Sequence, residues 1–251
     1  MSEYRRSVIK ITDFHAHILP MMDDGSRSPE ESIQMLRLLR SQGVDRVVAT
    51  PHFYPKQEDP DSFLQRRANS LKMLTSAINF AEIDKREIPE ICIGAEVAYY
   101  NGMSLSKRIK ELCIEGTNIM LLEMPFYKWS DSVVNEVCKM QRDLGIQIVL
   151  AHVDRYFHYV DSTKLFKLKS YRVMMQVNAG PFLGFLSYHK VIKLLQCNMI
   201  NALGSDMHDL VNRPSYMDEA IFKIDSKGYG AKLSTLMKNV DDMLSSAELL
   251  V

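Results

Sequence analysis

Short β-branched and apolar runs alternate along the chain with longer stretches of helical period. The runs are Val8–Thr12, Asp45–Ala49, Ile91–Gly94, Ile119–Leu122, Gln147–Leu150, Val173–Val177 and Met199–Leu203. Between them apolar residues recur three and four positions apart, as Ile33, Leu36, Leu38 and Leu39 do within Glu30–Gln42. Ser28-Pro29-Glu30-Glu31 opens that helix with a cap, a proline at the first position and acids in the first turn, and Gly43 closes it. The same reading predicts helices over Asp61–Ala81, Ser130–Leu144, Gly184–Cys197 and Ala231–Ser245. Seven strands alternating with helices predict an α/β fold with a parallel sheet, open or closed into a barrel. No linker, repeat or shift of composition interrupts the pattern. One domain is therefore expected over residues 8–251, after an N-terminal tail of residues 1–7.

Composition narrows the function. The 251 residues are 46% hydrophobic and 25% charged, the balance of a soluble globular protein. Thirty-one basic residues cancel thirty-one acidic ones, so no global basic field exists to collect nucleic acid or anionic membrane. No stretch of apolar residues is long enough for a membrane span, and Met1–Lys10 is polar, unlike a secretory signal. Cys92, Cys113, Cys138 and Cys197 form no CxxC pair, which argues against a zinc ribbon or a dithiol motif and for reduced thiols in the cytoplasm. A cysteine-based phosphatase needs Arg six positions after its nucleophile; here Ala98, Ile119, Leu144 and Leu203 stand there. All four cysteines are expected to be small buried hydrophobes. Neither a GxxxxGK loop nor a GxSxG elbow is present.

The polar residues carry the chemistry. His15 and His17 stand two apart at the end of the first run, a spacing that puts both imidazoles on one face of a strand. His52, Glu96, Glu123, His152, and the pair Asp206 and His208 each follow a later run, and Asp24 lies in the loop after the first. Five of the seven histidines thus fall just past strand ends, which share one rim in a parallel barrel. Mixed imidazole and carboxylate donors suit Mn²⁺, Fe²⁺ or Zn²⁺ better than Ca²⁺. Nine side chains exceed the needs of one ion and fit two or three, with a carboxylate such as Glu96 bridging. Three divalent ions against four carboxylates and a hydroxide leave a small positive charge, suited to a phosphate dianion, with the hydroxide as nucleophile. Arg155 and Arg213 follow the metal residues closely and can bind phosphate oxygens bidentately. Phe53, Tyr54, Phe126, Tyr127 and Trp129 are expected near the rim, where they could flank a flat aryl phosphate.

In order from Asp13 to Pro214, DFHAHILP, DDGS, ATPH, GAEVAYY, LLEMP, AHVDRY, QVNAG and SDMHDLVNRP resemble the motifs of the polymerase and histidinol phosphatase (PHP) superfamily. More closely, they resemble bacterial manganese-dependent tyrosine phosphatases of the CpsB/CapC type. The resemblance implies a distorted (β/α)₇ TIM-like barrel with three divalent ions, Mn²⁺ foremost. It implies that His15, His17, Glu96 and Asp206 hold one ion, Glu96, Glu123 and His152 a second, and Asp24, His52 and His208 the third. The family's spacing to Gly25 implies Asp24 rather than Asp23 as the ligand. Arg155 and Arg213 match the phosphate-binding arginines. The implied partner is the phosphotyrosine cluster of a bacterial tyrosine autokinase that controls capsule or exopolysaccharide synthesis. This sequence departs from the pattern in Asp154, where Glu is common, in the serine-free segment Val177–Gly180, and in the loop Phe53–Asp61, which lacks a basic run. Three alternatives remain: a small-molecule phosphatase of the histidinol-phosphatase type, a non-catalytic metal module that docks a kinase, and a nuclease proofreading module. Neutral charge and the lack of a polymerase domain count against the last.

Overall fold

The computed structural model of the chain describes residues 10–249, so the expected tail and the first two residues of the first expected strand lie outside it. Nine short strands follow in order: β1 (Thr12–Ala16), β2 (Arg46–Ala49), β3 (His52–Phe53), β4 (Glu90–Ile93), β5 (Glu96–Ala98), β6 (Ile119–Glu123), β7 (Gln147–Leu150), β8 (Met174–Asn178) and β9 (Ala202–Gly204). The pairings between these strands are all parallel, in the orders β1-β2-β4 and β3-β5-β6-β7-β8-β9. The pieces β2/β3 and β4/β5 are halves of two bent strands, which makes seven strand positions. Beyond β9, Met207 bridges Ala16 in parallel, and Asp206 N–H donates to the His15 carbonyl at 2.7 Å. The sheet therefore curls back on its first strand as a distorted barrel in one α/β domain.

Helices α1 (Pro29–Ser41), α2 (Pro60–Phe80), α3 (Asp131–Leu144), α4 (Ser162–Ser170), α5 (Phe185–Gln196), α6 (Met217–Ile224) and α7 (Gly230–Met243) complete the alternation. The Ser28 side chain accepts from Glu31 N–H, as its cap position predicts. Helices α4 and α6 are short, nine and eight residues, and were not among the expected helices, although Asp161 caps the first and Met217, Ala220 and Ile224 form a buried stripe on the second. Between β5 and β6 two 3₁₀ segments, Met103–Leu105 and Lys107–Leu112, stand where a regular barrel has an α-helix. No helix among the described residues is long and apolar enough to cross a membrane.

The first strand corrects an expectation. It spans Thr12–Ala16, and of the described part of the expected run Lys10 and Ile11 lie before it; the expectation stopped short because Asp13 and His15 are polar residues inside a strand that is buried throughout. Asp13 accepts from Ser205 N–H at 2.7 Å and Ser205 Oγ–H at 2.6 Å, which satisfies a carboxylate that hydropathy alone would place outside. Burial nevertheless raises Asp13 to about 6, against the lowering effect of Ser205.

The two bent strands position the rim. Pro51 has no N–H for the ladder, so the second strand breaks there and resumes at His52. The third breaks at Gly94, where an added Cβ would lie 3.1 Å from Ile114 Cγ1. The Gly94 carbonyl is held by the buried Arg67 guanidinium at 2.7 Å. Both strands resume in step, which pairs His52 with Glu96 across β3 and β5.

Candidate metal centre

All nine expected donors meet at the carboxyl ends of the strands. His15 Nε2 and His17 Nε2 lie 3.1 Å apart. Glu96 Oε2 is 3.2 Å from the first and 3.4 Å from the second, and Asp206 Oδ1 is 3.7 and 3.6 Å from them. The other Glu96 oxygen is 2.8 Å from His152 Nε2, which is 3.6 Å from Glu123 Oε1. Asp24 Oδ1 lies 3.4 Å from His208 Nε2 and 3.7 Å from His52 Nε2, while His52 Nδ1 reaches Glu96 Oε2 at 2.9 Å. Glu96 thus stands between three groups of donors.

These spacings fit cations better than hydrogen bonds. Donors about 2.0–2.2 Å from a shared ion are themselves separated by roughly 3–3.5 Å. Buried Glu96 Oε2, His52 Nδ1 and His208 Nε2 have no hydrogen-bond partner despite their crowding. Three donor sets are compact enough to share an ion: His15, His17 and Glu96; His52, Glu96 and Glu123; and His17, Asp24, His52 and His208.

Two of the donor residues hold strained backbone. His152 has φ +30° and Asp206 φ +55°, a left-handed conformation that costs a residue with a Cβ about 1–2 kcal/mol. Hydrogen bonds hold both: Asp206 through the His15 carbonyl, and His152 through its N–H to Gln176 Oε1 at 2.6 Å. Strain held this firmly is typical of functional positions.

The electrostatics are those of a dense ion cluster. Burial works against the Glu96 charge, yet His15, His152 and His17 hold its carboxyl well below the usual range. Asp206 is also depressed, its burial outweighed by His15 and Arg155. His208 is lowered to about 4 by burial and by the charge on His17. Arg155 pairs with Asp206 Oδ2, and Arg213 reaches Asp206 Oδ1 at 3.1 Å and Asp24 Oδ2 at 3.4 Å. Each arginine side chain is 38% exposed, so both stand at the mouth.

Three supporting residues were not foreseen. Asp23 is within 2.8 Å of His17 Nδ1 and accepts from His52 N–H and Gly25 N–H. Gln176 joins His152 N–H to His15 Nδ1, 3.3 Å away, and donates to Asn178, which donates to Asp206 Oδ2. Polar residues on a strand covered on both faces were the available signal for Gln176 and Asn178. The expected aromatic wall is corrected. Phe53 and Trp129 are core residues, packed on Phe63 and Tyr156: β3 turns the first ring inward, and the loop before α3 holds the second through its Nε1–H bond to the Pro125 carbonyl at 2.9 Å. Tyr54 remains at the rim, stacked on His52, as does Phe126, stacked on His152, and Tyr127 is exposed. Cys92, Cys113 and Cys138 are buried as expected, but Cys197 follows the end of α5 and is exposed.

Comparison with known proteins decides the family. Residues 11–245 match the family model described as capsular polysaccharide synthesis, CpsB/CapC. The chain belongs to the CpsB/CapC family. The tyrosine-protein phosphatase CpsB of Streptococcus pneumoniae is 29% identical over 246 residues, 88% of this chain and 91% of its own. The tyrosine-protein phosphatase YwqE of Bacillus subtilis is 26% identical over 242 residues, 92% and 90% of the two chains. A solved structure from work on those two proteins, described as metal-dependent tyrosine phosphatases, superposes with a TM-score of 0.80. It covers 96% of both chains at 21% identity, so the CpsB/CapC chain described here shares that fold.

Proposed function

We propose that this chain hydrolyses phosphotyrosine in proteins at a cluster of three divalent cations, Mn²⁺ foremost. Its substrate would be a bacterial tyrosine autokinase that governs capsule or exopolysaccharide synthesis, met in the cytoplasm. The observation that carries the reading is Glu96: a buried carboxylate whose two oxygens face separate groups of imidazoles, with one oxygen lacking any hydrogen bond. Family membership and tyrosine-phosphatase relatives along the chain support it.

In this reading His15, His17, Glu96 and Asp206 hold one ion, Glu96, Glu123 and His152 a second, and Asp24, His52 and His208 the third. When bound, divalent ions of this kind neutralise phosphate charge and acidify water enough for attack at neutral pH. The chain does the rest. Arg155 and Arg213 receive the phosphoryl oxygens as fixed guanidinium forks and stabilise charge that grows in the transition state. Tyr54 and Phe126, stacked on His52 and His152, offer aromatic faces to the phenyl ring. Phenolate, with a pKa near about 10, leaves with less need of a proton than an alkoxide does.

The test is metal analysis of the purified protein beside a substrate panel. The expected result is close to three equivalents of metal, with phosphotyrosine peptides cleaved at least about tenfold more efficiently than histidinol phosphate. The reverse preference would overturn the substrate class. A metal-loaded protein that releases phosphate from neither peptides nor p-nitrophenyl phosphate would favour the non-catalytic docking module.

A further inference from the structure

Away from the rim, the outer surface built by α4 and α5 has a charge unlike the rest of the chain. The two helices carry five lysines and no Asp or Glu, in a protein of zero formal net charge. Between them lies a cavity of about 400 Å³ with walls that include Phe157, Leu165, Phe166 and Leu194. Lys190, Lys193, Leu194 and Cys197 also line it, at the spacing of one face of α5. Lys164 of α4 pairs with Asp161, whereas Lys190 and Lys193 pair with no carboxylate among the described residues. The Lys190 ammonium sits instead 5.5 Å over the Phe157 ring.

The cavity adjoins a recess that reaches Asp154, whose partner Asn178 donates to Asp206 Oδ2 at the rim. A second recess of about 230 Å³ shares Phe157 and Lys190 with it and extends to Asp154, Pro181 and Leu186. Asp154 and Phe157 flank Arg155 in and just after the turn Val153–Tyr156. Asp154 is the one acid in either lining, and it is committed to Asn178 N–H at 3.0 Å. At the upper end of α5, Phe185 and Leu186 are 85% and 76% exposed. The result is a pair of adjoining apolar recesses that carry Lys190 and Lys193 and end at Asp154, the residue before Arg155.

We propose that this groove between α4 and α5 is an exosite for an acidic, apolar segment of the phosphoprotein substrate, adjacent to its phosphotyrosine. The proposal rests on the phosphotyrosine reading and adds which flanking sequence is preferred. Charge complementarity selects the occupant: carboxylates meet Lys190 and Lys193, while apolar side chains lie on Phe157, Leu165 and Leu194. Adjoining recesses suit an extended peptide, whereas a bilayer presents a flat surface.

The experiment compares two phosphotyrosine peptides, one flanked by Asp, Glu and Leu, the other by Gly and Ser. They are tested on the metal-loaded wild-type protein and on the double variant Lys190→Glu/Lys193→Glu. Wild type is expected to favour the acidic peptide by about tenfold in kcat/KM, and less so at high salt. The variant should lose that preference and keep its turnover of p-nitrophenyl phosphate. No preference in wild type, or one that survives the double substitution, overturns the exosite. If wild type cleaves neither peptide, the phosphotyrosine reading fails. Fluorescence anisotropy of the labelled acidic peptide then decides the groove alone: binding lost in the variant supports it, and equal binding overturns it. Lysine-dependent sedimentation with phosphatidylglycerol vesicles, with no peptide preference, would make the groove a membrane contact and also overturn it.

Discussion

His17 and Asp23 are joined by a 2.8 Å contact between Nδ1 and Oδ2 that turns His17 Nε2 toward the donor cluster. Asp23 spends its other lone pairs on the N–H groups of His52 and Gly25, so one buried carboxylate ties the first rim loop to the second bent strand. Despite its burial, the His17 imidazolium holds the Asp23 carboxyl well below the usual range. The neighbouring Asp24 is exposed and faces His52 and His208 instead. In the proposed reading the two aspartates therefore divide the work, Asp24 as a donor and Asp23 as the group that orients donors.

Asp23→Asn should thus weaken metal binding by about 10- to 100-fold, the usual effect of losing a carboxylate behind a ligating histidine. Excess metal should restore turnover to within a few fold. Competition titration with a chelating dye reads the affinity, and an unchanged value would remove Asp23 from this role.

Arg155 leads to the opposite separation. Its guanidinium lies against Asp206, a donor to the cluster, but offers no lone pair to a cation. Arg155→Ala should cut turnover by about two to three orders of magnitude, as loss of a preorganised transition-state donor does. Metal content should stay the same or rise, because a cation that competes for Asp206 has gone. Elemental analysis beside steady-state kinetics checks both halves, and a parallel loss of metal and activity would make Arg155 structural.

Much of the rim was readable because a parallel strand buried on both faces is apolar until it reaches its carboxyl end. The first ionisable side chain after each run, such as His52, Glu96 or His152, therefore marks the rim directly. The same rule failed at β1, where Asp13 and His15 lie inside the strand and are satisfied by Ser205 and Gln176. Gln176 and Asn178 escaped notice because amides in a strand look like surface residues until their partners across the barrel are known. Phe53 and Trp129 show the converse error: proximity to a rim residue in sequence says nothing of which way a ring points. The bends at Pro51 and Gly94 divide two strands, and only the pairing of His52 with Glu96 reveals that the breaks are in register.

The thiols give a prediction independent of metal. Burial pushes the Cys92 thiol up to about 11 and the Cys113 thiol up to about 12. Neither can supply a thiolate at neutral pH. A chromogenic disulfide reagent should therefore label one thiol per native chain, the exposed Cys197, and all four after denaturation. Cys197→Ser should abolish native labelling and leave p-nitrophenyl phosphate turnover unchanged. A second fast-reacting thiol, or loss of activity in the variant, would contradict this packing.

Metal removal should make stability depend on alkaline pH. Burial disfavours the His17 imidazolium, but Asp23 and Glu96 outweigh it and carry His17 up to about 10. His152 is likewise carried up to about 9, with Glu123 and Glu96 overcoming its burial. In the chelated protein both rings are protonated at neutral pH and paired with carboxylates. A pKa raised on folding contributes stability that is complete below the unfolded value near about 6.5 and vanishes as pH rises through the folded value. The chelated protein should accordingly lose melting temperature between pH 7 and about 10, whereas the metal-loaded protein, with both imidazoles neutral throughout, should change much less. Loading must also expel these protons, so apparent affinity should rise with pH up to about 10. Calorimetry in buffers of different ionisation enthalpy should register about two protons released from these rings per chain at neutral pH. Release of none would mean that His17 and His152 are already neutral, and that their carboxylate neighbours do not hold the charge assigned to them.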